Sequence, residues 1–147
     1  MQTIDVTAHS QTDARALYAL LADGASWPIW SPIGSFELER PGGSQPEGVG
    51  AVRIFRTGRF TSREQLVELV PGRRLSYVLL SGLPLRDYRA DVDLTPDSTG
   101  TDIRWRSTFR PKIPGTGWLY RLVLTRFIQR CANGLAAGQE AAPHRPD

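Results

Sequence analysis

Alternating, strand-like runs stop at Pro111 and Pro114, and a single long apolar-faced segment follows, from about Thr116 to about Gly138. Leu119, Tyr120, Val123, Leu124, Phe127, Ile128, Cys131 and Leu135 recur there at steps of three and four. That spacing lays a wide apolar stripe along one side of a helix. Proline fixes φ and has no amide hydrogen to donate, so it ends a strand cleanly. A helix with so wide a stripe needs a broad apolar surface to lie on, and the strands before it supply one. The chain is therefore read as α+β: a short helix pair near the N-terminus, a curved antiparallel sheet, and a closing C-terminal helix that grips a cavity.

Gln2 to Ala8 alternates, with Ile4, Val6 and Ala8 on one face and Thr3, Asp5 and Thr7 on the other, which predicts a half-buried strand. Ser10 or Thr12 can cap the helix that follows, in which Ala14, Leu17, Tyr18 and Leu21 fall at helical spacing before Gly24 ends it. Ala25 to Pro32 is a turn or a single helical turn. Phe36 to Arg40 begins the next strand, and Pro41 to Gly50 reads as a loop. Ala51 to Thr57, Phe60 to Val70 and Leu75 to Leu80 are strands, with turns at Gly58-Arg59 and Pro71-Gly72.

The register of the second of these hairpins can be argued. A two-residue turn pairs Glu64 with Leu79, mixing polar and apolar on one face. One more loop residue pairs Leu69 with Leu75, Val67 with Tyr77 and Gln65 with Leu79, and is preferred because apolar cross-strand pairs stabilise. It places Arg63, Gln65, Val67 and Leu69 inward and leaves Leu66, Val78 and Leu80 as an apolar patch on the other side. In the last hairpin, pairing Val92 with Trp105 and Tyr88 with Phe109 sets Asp93, Asp91 and Asp87 opposite Arg104, Arg106 and Arg110. Slipping by two sets like charges together. These arginines read as a solvated sheet face.

The inward candidates that could line a cavity are Val67, Tyr77, Tyr88, Trp105 and Phe109 on the sheet, with Val123 and Phe127 on the helix. A buried phenol needs a partner, so Tyr77 and Tyr88 either orient a ligand carbonyl or are satisfied by backbone or water. An inward Arg63 would be costly unless paired, which makes it a functional candidate; otherwise its head reaches water at the rim. Trp27 and Trp30, in WPIWSP, suit the wall or mouth of an apolar pocket and equally a plug under a loop. Cys131 has no local base and reads as a small core residue.

Other chemistry is excluded. His9 and His144 have no neighbouring metal ligands in the sequence, so no metal is expected, and no cofactor motif is present. Gly48-Val49-Gly50 enters a strand, not the helix a dinucleotide fingerprint needs. The net charge is +3, but the arginines are scattered, unlike the stripe of a nucleic-acid binder, and Lys112 is the only lysine. No apolar run approaches a membrane span, so no membrane insertion is expected. The start lacks a signal-peptide pattern, and the lone cysteine fits a reducing compartment, so the expected location is cytoplasmic.

WPIWSP after the first helix, GVGAVRIFRTG, REQLVELVPGRRLSYVLLSG, YRADVDLTP, GTDIRW and the closing helix occur in an order that resembles the polyketide cyclase/dehydrase and lipid-transport type of the START-like (SRPBCC) superfamily. The resemblance implies a helix-grip fold: a seven-stranded antiparallel sheet wrapped around the C-terminal helix. It implies one ligand-binding domain over residues 1–140; residues 141–147, with two prolines, read as a loose tail. It also implies an internal hydrophobic cavity that binds lipids, sterols, polyketides or similar molecules. Trp30, Arg63 and Tyr77 lie in regions comparable to the pocket of the aromatase/cyclases in that group, without a residue-by-residue match.

The expected function is binding or carriage of a small hydrophobic ligand. A polyketide aromatase/cyclase-type enzyme is the first alternative; it requires Arg63, Tyr77 and Tyr88 to converge on one volume. An interaction module with a filled core is the second; it expects a homodimer or other partner on the Leu66, Val78 and Leu80 face.

Overall fold

The computed structural model describes residues 1–141. Seven antiparallel strands form one sheet, β1 (Gln2–Ser10), β2 (Ser35–Arg40), β3 (Val52–Thr57), β4 (Phe60–Val70), β5 (Arg74–Ser81), β6 (Leu85–Asp97) and β7 (Gly100–Pro111), in the order β1-β7-β6-β5-β4-β3-β2. Helices α1 (Ala14–Ala22) and α2 (Trp27–Trp30) follow β1, joined by a 3-10 turn at Gly24–Ser26. Helix α3 (Gly117–Ala141) closes the chain, so Ala141 belongs to the helix and not to a tail; the rest of the expected tail, 142–147, lies outside the described residues.

The helix caps differ from the expectation. Asp13, not Ser10 or Thr12, caps α1: its carboxylate accepts from the Ala16 amide at 2.8 Å. Ser10 instead donates to the Ala136 carbonyl at 2.6 Å, tying the end of β1 to α3. The outer half of α3 is seated by small residues. A side chain at Gly134 would run into the Trp30 carbonyl, and one at Gly138 would crowd Leu20 Cδ1 and Trp30 Cβ. Ile128, Cys131, Ala132 and Leu135 are buried there.

β-Bulges set the curvature and re-aim the strands. At the β4–β5 turn the preferred register holds, with Leu69 opposite Leu75. Val67 is then an extra residue, because Leu66 faces Tyr77 while Glu68 faces Ser76. Beyond it the register is the rejected one, with Glu64 opposite Leu79. Both pairings are real, and a further shift between Glu64 and Arg63 restores the preferred register, with Arg63 opposite Ser81. Leu66 is therefore core, at 1% exposure, and Val67 is only half-buried. The proposed outer patch of Leu66, Val78 and Leu80 does not form.

In the β6–β7 hairpin Val92 faces Trp105, Asp93 faces Arg104 and Asp91 faces Arg106, as expected. The side chains then choose other partners: Arg104 grips Asp5 of β1 at 2.6 Å, and Arg74 grips Asp93 at 2.6 Å. Near the start of β6 a second bulge, with Asp87 at φ 54°, puts Arg86 rather than Asp87 opposite Arg110.

Candidate functional site

The helix-covered face of the sheet holds a pocket of about 70 Å³, lined by residues of α2, β4 to β7 and α3. Trp27, Tyr77, Tyr88, Trp105 and Phe127 make aromatic walls, and Leu124, Ile128 and Cys131 complete the roof. The rings brace one another: Trp27 meets Trp105 edge-on at 5.7 Å, and Tyr77 and Tyr88 stack at 6.4 Å. Trp105 Nε1 donates to Tyr77 Oη at 3.3 Å, and Tyr88 Oη lies 3.0 Å from Ser107 Oγ. Burial pushes both phenols far above their ordinary titration range, so both remain neutral hydrogen-bonding groups. Burial likewise pushes the Cys131 thiol up to about 12, which leaves it unreactive.

Glu64 is the unexpected member. The bulge at Val67 turns it inward, and it lines the pocket with Ser62. The residue as a whole is half-buried, because the pocket is open on one side, but Oε1 is shielded from solvent and has no hydrogen-bond partner. Ser62 Oγ reaches Oε2 only at 3.5 Å. Burial raises the carboxyl to about 7; the positive charge of Arg53 and the Ser62 hydroxyl oppose the rise without cancelling it. At neutral pH Glu64 can therefore donate or accept a proton.

Arg53 lies opposite Glu64 across β3 and β4 and is the buried arginine among the described residues, at 1% exposure. Its guanidinium lies over the paired Trp27 and Phe55 rings, 5.3 and 5.1 Å from their centroids. Nη1 donates to the Leu21 carbonyl at 3.2 Å and to Glu47 at 3.1 Å, while Nε and Nη2 are buried without partners. The cation stiffens the wall behind Trp27 and lends positive potential to the Glu64 side.

Of the residues expected to line a cavity, Tyr77, Tyr88, Trp105 and Phe127 do so. Trp30 is buried away from the lining, with Nε1 donating to Ser26 Oγ at 2.9 Å and its backbone against Gly134. Phe109 is fully buried behind Tyr88, with ring centroids 6.1 Å apart. Val67 occupies the bulge, and Val123, one turn before Phe127, is exposed at the edge of the stripe. Arg63 points away from the pocket and holds Glu39 through two contacts of 2.7 Å. The alternation rule, applied without a bulge, exchanged Arg63 for Glu64. Arg63→Ala is accordingly expected to leave the fluorescence of the pocket tryptophans unchanged, whereas Tyr77→Phe, which keeps the ring but removes the acceptor of Trp105, shifts it.

An open trough of about 500 Å³ on the outer sheet face, lined by Arg73, Arg74, Asp93 and Arg104 among others, is larger but unenclosed, and Arg74 and Arg104 are already ion-paired. His9, expected to lack ligating neighbours, lies 2.8 Å from Asp102 and 3.7 Å from Asp97. Its partner Asp102 raises its pKa, and all three groups are solvent-exposed.

A curved seven-stranded sheet closed by one long helix over an aromatic pocket is a helix-grip fold, the fold shared by a START superfamily protein of solved structure. The sequence matches the family described as polyketide cyclase / dehydrase and lipid transport over residues 1–140, and the chain belongs to that family. A START superfamily protein from Mycobacterium smegmatis shares the fold at a TM-score of 0.81 and 12% identity, over 96% of this chain and 99% of that one. A protein from Thermobifida fusca is similar at a TM-score of 0.74 and 22% identity, over 99% and 98% of the two chains. The Aha1 dimer from Colwellia psychrerythraea aligns at a TM-score of 0.68 and 14% identity, over 95% and 99%. No curated protein matches the sequence. Among the described residues no helix is long and apolar enough to cross a membrane.

Proposed function

We propose that this protein binds and carries a small hydrophobic molecule, aromatic or polyketide-like, beneath α3, with Glu64 and the tyrosines meeting its polar end. The observation that carries this reading is the shielded, unpartnered Glu64 Oε1 inside an aromatic pocket. A buried acceptor without a partner is costly, and a ligand hydroxyl would relieve that cost. Family membership and fold are consistent with such a ligand.

The standing volume is small. About 70 Å³ is less than half of the roughly 150 Å³ that admits benzene in an engineered cavity. Binding a ring therefore requires the roof to move. The packing of α3 allows it: the second half is buried, while Trp118, Leu119, Leu122 and Val123 in the first half are exposed. Leu124 and Phe127, which fill the pocket from above, are only partly buried.

Titration with 2-naphthol, followed by tryptophan fluorescence and by native mass spectrometry, tests the proposal. Phe127→Ala removes a ring from the roof and is expected to tighten naphthol binding about tenfold, the effect of roughly 1.4 kcal/mol of relieved crowding. Absence of binding to both the parent and this variant would end the carrier reading.

One observation favours a second reading. A carboxyl that titrates near 7 beside neutral phenols suits general acid–base work on an enolisable carbonyl, as a cyclase or dehydratase would require. Tyr77 and Tyr88 converge on one volume, although Arg63 does not join them. Glu64-dependent deuterium exchange next to the carbonyl of a bound diketone supports it; unchanged exchange in Glu64→Gln excludes it.

A further inference from the structure

The outer side of α3 is built the wrong way round for a solvated surface. Trp118, Leu119, Leu122 and Val123 are 61, 43, 52 and 57% exposed, and Ile113 in the preceding loop is 54% exposed. On a helix Trp118, Leu119, Leu122 and Val123 fall within one arc beside the stripe that carries Leu124, Phe127 and Cys131, with Val123 at its edge one turn before Phe127. Arg126 and Arg130 continue the same outer face toward the C-terminus, and both are exposed. So two apolar turns are followed by two basic ones.

Along this stretch of the sequence the charge has one sign, and Asp87 in the neighbouring β6 bulge is the exposed acid beside it. From Ile103 to Gln139 the chain contains no aspartate or glutamate, but it carries seven cations: Arg104, Arg106, Arg110, Lys112, Arg121, Arg126 and Arg130. Next to the α3 entry, the β6 bulge sets Arg86 directly opposite Arg110 across the strands. Like charges in that position destabilise a sheet. Acids accompany most arginines elsewhere on the sheet, whereas among the described residues Arg86, Arg110, Lys112, Arg121 and Arg126 form no ion pair. The Lys112 amide bonds to the Pro84 carbonyl at 3.0 Å, which holds this loop against the β5–β6 turn and brings the cations to the same end as the apolar face.

We propose that this end of the molecule docks on an anionic phospholipid surface: Ile113, Trp118, Leu119, Leu122 and Val123 enter the headgroup boundary while Arg86, Arg110, Lys112, Arg121 and Arg126 meet lipid phosphates. An exposed apolar face ringed by cations has the composition of an interfacial helix. Each cation near such a surface adds attraction that salt screens. The docking helix is also the roof of the pocket, so a ligand drawn from the bilayer would enter where the roof yields. That last point rests on the carrier reading; the docking itself does not.

The test uses the whole chain and vesicles of phosphatidylcholine, with or without about one third phosphatidylglycerol. Co-sedimentation is expected only with the anionic vesicles and is expected to weaken at high salt. Trp118 is exposed while Trp27, Trp30 and Trp105 are buried, so quenching by bromine-labelled lipid reports on Trp118. Paired Trp118→Ser and Leu122→Ser changes are expected to abolish binding. Arg110→Glu, which relieves the Arg86 repulsion and so should fold at least as well, is expected to weaken it at least about tenfold. Failure to bind anionic vesicles overturns the proposal. So does equal binding to neutral vesicles, or a homodimer that the same serine changes dissociate, since the face would then serve a second copy. Glu64→Gln should leave vesicle binding unchanged, which separates failure of docking from failure of the pocket reading.

Discussion

At pH 8, Glu64→Gln is expected to make the protein more stable, by at most about 3 kcal/mol, although it removes a charge that faces an arginine. The sign follows from the raised folded-state pKa of about 7 against an ordinary 4.5. Below pH 4.5 both folded and unfolded chains hold the proton, and the carboxyl carries no ionisation penalty. Between 4.5 and 7 the unfolded chain releases its proton while the folded one keeps it, so stability falls as pH rises. Above 7 the loss is complete. Glutamine is neutral at every pH and nearly the same shape, and Arg53 retains Glu47 at 3.1 Å. Urea melts from pH 4 to 8 should therefore show a slope in the parent that flattens in the variant. Parallel curves would mean that the Glu64 carboxyl is solvated, and the polar anchor of the pocket would be lost with it.

Gly134→Ala should have an effect of similar size and opposite sign. In a free helix, alanine is better than glycine by roughly 1 kcal/mol. Here the added methyl would strike the Trp30 carbonyl, a backbone atom that no side-chain rotation can move. Either α3 lifts from α2 or the α2 turn shifts. A net loss of about 2–3 kcal/mol is expected, or a fall in melting temperature of roughly 5–10 °C. Gly43→Ala is the control, since a side chain there meets nothing within 4 Å. An unchanged melting temperature for Gly134→Ala would show that α3 is not clamped at this point, and the division into a fixed half and a yielding half would fail.

Much of the fold could be read from local pattern. The closing helix, all the strands and the Asp93–Arg104 and Asp91–Arg106 pairings follow from side-chain period and from which residues can face one another. The aromatic half of the site was legible for the same reason: Tyr77, Tyr88, Trp105 and Phe127 sit where alternation and helical spacing remain in phase. The polar half was not. One extra residue at Val67 reverses every side chain beyond it, so Arg63 and Glu64 exchange faces. The available signal was that the preferred register still set polar Gln65 against Leu79.

The sequence by itself determined which elements form and which of their faces are apolar, because those choices depend on neighbours a few residues away. The tertiary structure decided where bulges interrupt the ladders, which acid and which arginine turn inward, and how much space remains beneath the roof. Those outcomes depend on how distant strands share curvature and how completely α3 fills it, and only the assembled chain balances the two.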